Sequence, residues 1–161
     1  MKHRLQNNVW SMKLFFHYLS LLSTAFLLGA CGSEPREILL GAWQVDSVYL
    51  YYNGFEQRQT MPGADWALHQ YRPDGTVREI KFDTYRSFRY QIVEDRLYWR
   101  SRDGRTGGTY QILELQPWRL VLKREKPPLF PGRRQERYEV RYFSRAEAPA
   151  ETATMPYRPA H

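Results

Sequence analysis

Residues 84–102 read TYRSFRYQIVEDRLYWRSR. Phe88, Tyr90 and Ile92 occupy every second position, with Arg89 and Gln91 between them. After Glu94-Asp95 the alternation resumes, with Leu97 and Trp99 against Arg100 and Arg102. A period of two is that of a β-strand with one buried face. The short acidic pair sits where a tight hairpin turn belongs. This stretch therefore predicts two antiparallel strands, aromatic on one side and basic on the other.

The same pattern recurs in both directions. Eight runs read as strands: 39–51, 66–72, 76–82, 84–93, 96–102, 108–115, 118–125 and 136–144. Asp74-Gly75, the segment 104–108 and Gln116-Pro117 mark turns, and Pro127, Pro128, Pro131 and Gly132 exclude regular structure before the last run. Short turns pair each strand with its sequence neighbour. The predicted fold is all-β, an eight-stranded antiparallel up-and-down β-barrel, which leaves no exposed sheet edge. At 161 residues there is room for one such domain, and an aromatic share of 16% suits pleated, half-buried surfaces. The barrel is expected over 38–145. The segment 146–161, rich in Pro and Ala, is expected to be disordered.

A different pattern precedes the strands. From Leu14 to Leu28 the chain reads LFFHYLSLLSTAFLL, the length of a signal-peptide apolar region, with Lys2, Arg4 and Lys13 before it. A start at Met12 also leaves a signal peptide of ordinary proportions. The tetrad Leu28-Gly29-Ala30-Cys31 resembles the lipobox of bacterial lipoproteins. That resemblance implies cleavage of a helical signal peptide, residues 1–30, and attachment of diacylglycerol to Cys31, with 31–37 as lipidated cysteine and tether. Palmitate-type acyl chains would anchor the protein at a membrane. Gly32, rather than Asp, favours the outer membrane, facing the periplasm or the cell surface.

Gly41-Ala42-Trp43 matches the Gly-x-Trp signature of the lipocalins. Tyr71-Arg72-Pro73-Asp74-Gly75-Thr76 resembles an aromatic-x-x-Asp-Gly-Thr hairpin of small lipocalin-like lipoproteins of the Bacteroidota, and the stretch 109–124 has their rhythm. The resemblance covers 38–144. It implies that 52–65 is a large loop gating the barrel mouth, and that an Arg packs over Trp43, with Arg141 and Arg145 as candidates. It implies a fold more firmly than an activity.

Alternation from one inward residue fixes each run. Trp43 inward brings Val45 and Tyr49; Tyr71 brings His69. Ile80 goes with Phe82, Phe88 with Tyr90 and Ile92, and Leu97 with Trp99. Tyr110, Ile112, Leu120, Leu122, Tyr138, Val140 and Tyr142 complete the ring, leaving Glu139 and Arg141 outside. A barrel of this size lies between a filled interior and a one-ligand cavity. In the first reading a small hydrophobic or amphipathic ligand is bound by Trp43, His69, Tyr71, Phe88, Tyr90, Trp99, Tyr110 and Tyr138. In the second the barrel is packed and its exterior binds an envelope protein partner.

Other chemistry is poorly supported. The formal charge is +7, and Lys2, Arg4 and Lys13 account for three of those charges; the remaining +4 is too small to argue for nucleic acid. One cysteine permits no internal disulfide. His69 alone in the folded part cannot build a metal centre, and no Gly-x-Ser-x-Gly stretch or phosphate-binding glycine loop occurs. No catalytic residue, metal or cofactor is expected, and the protein is read as a non-enzyme.

Overall fold

The computed structural model describes residues 34–60, 66–101, 103–130, 134–149 and 154–159. The chain divides into Met1–Ser33 and Glu34–His161. All described residues belong to the second unit, so the signal segment 1–30 and Cys31 lie outside them. One helical turn, α1 (Pro35–Leu39), leads into nine strands. They are β1 (Gly41–Tyr52), β2 (Phe55–Thr60), β3 (Leu68–Tyr71), β4 (Thr76–Lys81), β5 (Thr84–Val93), β6 (Arg96–Arg100), β7 (Thr106–Gln116), β8 (Arg119–Glu125) and β9 (Arg137–Ala146).

From β3 to β9 each strand pairs antiparallel with the next. The ring closes where β9 returns to β1, from Ala42 opposite Ala146 to Tyr52 opposite Arg137. Eight strands thus form a closed up-and-down barrel, the architecture expected of a lipocalin-like chain. Among the described residues the core lies within this unit and its seam is paired along its length with one bulge, which are the requirements for independent folding.

The ninth strand, β2, corrects the expected loop over 52–65. Residues 55–60 fold back on the outer half of β1, Tyr52 opposite Phe55 through Ser47 opposite Thr60, while β3 takes the inner half of the same edge. Asn53 (φ 46°) and Gly54 (φ 92°) make the turn, both in the left-handed region a two-residue hairpin needs. Every residue of β2 is exposed. FEQRQT packs neither face on the core, so it carries no alternation to betray a strand.

Three strand phases also differ from expectation. Register shifts between Val45 and Ser47, so Val48 joins the inner face and Tyr49 turns outward. Cross-strand partners share a face: Val45 faces Phe143, Val48 faces Arg141 and Leu50 faces Glu139. The inner residues of β9 are therefore Glu139, Arg141 and Phe143, while Tyr138, Val140 and Tyr142 lie outside. On β4, Val77 opposite Tyr71 and Glu79 opposite His69 point inward, Ile80 lies on the other face, and Phe82 is exposed. The end of the chain departs from the disorder expected for it. Ala146 still belongs to β9, and residues 154–159 lie against β5, where Tyr85 N–H donates to Pro156 O (3.1 Å) and Arg158 N–H to Tyr85 O (2.8 Å).

One end of the barrel is shut by α1. The Trp43 indole N–H donates to Leu39 O at 2.8 Å. The Arg145 guanidinium lies 4.0 Å above the Trp43 ring and donates to Ile38 O (2.8 Å), Leu40 O and Pro117 O (3.0 Å). Arg145 thus supplies donors to carbonyls that the end of a helix leaves without partners. Gly41 is required beside it: its φ is +108°, and a Cβ there would come 2.9 Å from Arg145 Nη1. Arg145→Leu is expected to destabilise the fold by about 1–2 kcal/mol, the loss of charged hydrogen bonds plus a cation–π contact at a partly exposed site. Urea denaturation of residues 34–161 measures it; an unchanged midpoint would show that the clamp is incidental.

Candidate ligand site at the barrel mouth

Above the α1 floor the interior is built in layers. Leu39, Trp43, Leu97, Leu120 and Phe143 fill the lowest part and are fully buried. The middle is aromatic. Trp99 lies at its centre, with ring centroids 4.8 Å from His69, 5.4 Å from Phe88, 5.2 Å from Tyr110 and 6.2 Å from Tyr71. Alternation along β3, β5, β6 and β7 aims these side chains at one another, and their packing leaves the middle solid.

Four polar atoms are caught in that packing. His69 Nδ1 and Nε2, the Tyr71 hydroxyl and the Trp99 indole nitrogen are buried without a hydrogen bond of normal geometry to protein. Leaving such a group unmet costs about 1–3 kcal/mol. Burial first, and the nearby Arg141 second, hold the His69 pKa down at about 3. The ring is therefore neutral at physiological pH, one nitrogen a donor and the other an acceptor. Burial, reinforced by Tyr110, pushes the Tyr71 hydroxyl well above the usual phenol value, with the Trp99 N–H pulling weakly the other way. Tyr110 is raised by burial too, against the pull of Arg141 and Arg124.

The upper third changes character. A cleft of about 340 Å³ opens there, with Val45, Val48, Leu50 and Trp66 on its apolar side and Glu79, Lys81, Arg86, Glu139 and Arg141 on its charged side. Arg86 Nε lies 3.0 Å from Glu79 Oε2, Arg141 Nη2 2.9 Å from Glu139 Oε1, and Lys126 Nζ 2.8 Å from Glu139 Oε2. Glu139 is almost wholly buried, so its two cations are what make its burial tolerable. Leu50 and Glu139 also belong to a second cleft, of about 710 Å³, that wraps over the rim past Tyr52, Phe55, Leu129 and Tyr138. Phe55 and Leu129 are largely exposed there.

The residues expected to hold a ligand are distributed unevenly over this arrangement. Trp43 belongs to the floor. His69, Tyr71, Phe88, Trp99 and Tyr110 form the packed middle, and Tyr90, half-buried, donates its hydroxyl to Arg72 O at 3.2 Å. None of these lines the charged cleft. Tyr138 is outside the barrel, stacked on Tyr51 at 4.7 Å, and touches only the rim cleft. The charged residues of the mouth escaped sequence reasoning because Tyr138 and Tyr142 made the wrong face of β9 look apolar. Phe143, the one fully apolar aromatic of that strand, carried the correct phase. Among the described residues no group of three His, Cys, Asp or Glu gathers as a metal ion would require.

No family model matches the sequence, and no curated protein matches it. Among solved structures the chain is similar to LTBP1 in its complex with leukotriene C4, with a TM-score of 0.43 at 12% identity over 78% of this chain and 79% of that one. It is similar also to a tyrosine-to-alanine mutant of LTBP1 with the same ligand, with a TM-score of 0.42 at 12% identity over 78% and 80%. Likeness at this level is too slight to extend to a ligand, and the barrel stands on its own strand pairings.

The buried histidine gives a signature in acid. The unfolded chain protonates His69 near pH 6.5 whereas the folded one holds it neutral down to about pH 3. Between those values the unfolded state binds the extra proton, so stability falls as pH drops, by up to about 1.4 kcal/mol per pH unit. Urea midpoints measured between pH 7.5 and 5 should fall in the wild type and flatten in His69→Leu. Equal slopes would show that His69 is not buried in its neutral form.

Proposed function

We propose that this protein is a binding protein for a small amphipathic molecule, which it takes at the barrel mouth rather than deep in the barrel, and that it works tethered to a membrane through lipid on Cys31. The observation that carries the ligand reading is the junction of two unlike surfaces at the mouth. Val48, Leu50 and Trp66 offer an apolar wall, facing the inward charges of Glu79, Arg86, Glu139 and Arg141. A barrel built only for stability has no use for four ionised groups on its inner face, since burying charge is costly. An amphipathic guest meets both walls: its body would lie along Leu50 toward Phe55 and Leu129, and its polar end would turn inward. Burial of the body supplies the affinity, at about 25 cal/mol per Å² removed from water.

The tether rests on Leu28-Gly29-Ala30-Cys31 and the apolar segment before it. Helix α1 lies at the floor, so the mouth opens at the end of the barrel remote from Glu34. An outer-membrane location, at the periplasmic or the outer surface, follows from the same reading.

A second reading, a packed barrel that docks an envelope protein, is favoured by the solid middle and by a groove of about 800 Å³ on the outside. Tyr49, Arg58, Arg119 and Tyr142 line that groove beside the largely exposed Trp118.

Native mass spectrometry of the full chain, extracted from its host's membranes in mild detergent, tests both parts together. The expected protein begins at a diacylglyceryl-modified Cys31 and carries a small-molecule adduct, which Val48→Arg reduces at least tenfold without unfolding the barrel. An unmodified Cys31 behind an intact 1–30 segment would remove the tether. A bare mass, unchanged by Val48→Arg, would leave the docking module as the better reading.

A further inference from the structure

The two clefts at the mouth leave open which kind of polar end they receive, and the geometry of the inner charges addresses that. We infer that the ligand is anionic, an amphiphile ending in a carboxylate or phosphate-like group that lies between Arg86 and Arg141. This deepens the proposed function and rests on it.

Three observations converge. The first is balance. Lys81, Arg86 and Arg141 line the cleft against Glu79 and Glu139. Lys126 reaches Glu139 from the rim, and Arg124, opposite Glu139 in register, lies 5.5 Å over the Tyr110 ring. At the rim Lys126 and Arg137 stand with Glu56, so over the two clefts five cations face three carboxylates and the field inside the mouth is positive. Low-dielectric walls sharpen such a field.

The second is how the guanidinium groups are used. Arg86 and Arg141 are mostly buried, with side chains 32% and 22% exposed. Each touches its glutamate, yet Arg86 Nε sits 3.0 Å from Glu79 Oε2 without the alignment of a hydrogen bond, and Arg141 Nε has no partner. Glu139 Oε1 likewise makes a close ion pair with Arg141 but no aligned bond. A guanidinium presents five donors in a planar fork that suits two oxygens of one anion. Neither glutamate fills that fork here. The carboxylates hold the arginines in place, and both guanidinium side chains line the cleft with their hydrogen-bonding capacity only partly used.

The third is what lies beneath. His69, on β3, is the direct cross-strand neighbour of Glu79, and its two nitrogens are buried without partners one layer under the charged wall. As a neutral imidazole it puts no charge beneath the arginines to oppose them.

Titration of residues 34–161 with dansyl-undecanoic acid, its methyl ester and an undecylammonium dansyl analogue separates this proposal from the reading on which it rests. The acid is expected to bind roughly tenfold or more tightly than the ester, as a charge-assisted bond pair would give, and the ammonium analogue weakest. Arg86→Gln and Arg141→Gln should each weaken acid binding at least tenfold and narrow its margin over the ester, and Arg86→Lys should keep part of that margin. Near-UV circular dichroism confirms that the variants fold. Equal binding of acid and ester to the wild type would overturn the anionic head group and leave an amphiphile site standing. Absence of binding by all three probes would overturn both.

Discussion

The seam between β1 and β9 governs the rest of the molecule. At its lower end Arg145 covers Trp43 and donates to the carbonyls around α1. That contact sets Trp43 opposite Arg145, and with it the phase of β9, while β1 pairs in a shifted register above the bulge at Asp46. Strand register is unforgiving, because a slip of one residue turns every side chain to the other face. The seam therefore decides that Phe143 enters the core and that Glu139 and Arg141 enter the mouth. A clamp at the shut end thus sets the chemistry at the open one. Gly41 is part of the same device, since its left-handed backbone lets the guanidinium approach.

Two kinds of interior follow from that register, stacked in one barrel. The lower and middle layers are close-packed, and a solid aromatic core supplies stability that a ligand cavity of the same size would forfeit. The mouth bears the opposite load: charges that only mutual pairing and nearby water make tolerable. The polar atoms of His69, Tyr71 and Trp99 stand at the boundary between the two. A fold that tolerates such groups sets aside some stability for them, which is where functional sites are usually found.

Much of this was legible in the sequence. All eight barrel strands were visible as alternating runs, because each packs one face on the core and shows the other to water. Gly-Ala-Trp marked the first strand, and Arg145 was one of two candidates for the arginine over Trp43. The misses have physical causes. FEQRQT packs on nothing, so alternation was silent and only Asn53-Gly54 announced β2. The bulge at Asp46 reversed the phase of β1 midway, which no periodicity read from one end can foresee. Tyr138 and Tyr142 are amphipathic enough to cover the outside of a strand, so their spacing imitated a core. The same imitation hid the inward phase of Glu139 and Arg141.

The central claim is that the mouth, and not the packed middle or the outer groove, receives the ligand. Nitrogen-15 and methyl-resolved NMR of residues 34–161, titrated with a long-chain fatty acid, tests it most directly. The account predicts saturable shifts at Val48, Leu50, Trp66 and Arg141, with Leu97 and Leu120 unmoved. Shifts confined to Trp118 and Tyr142, or no saturable shift at all, would contradict it.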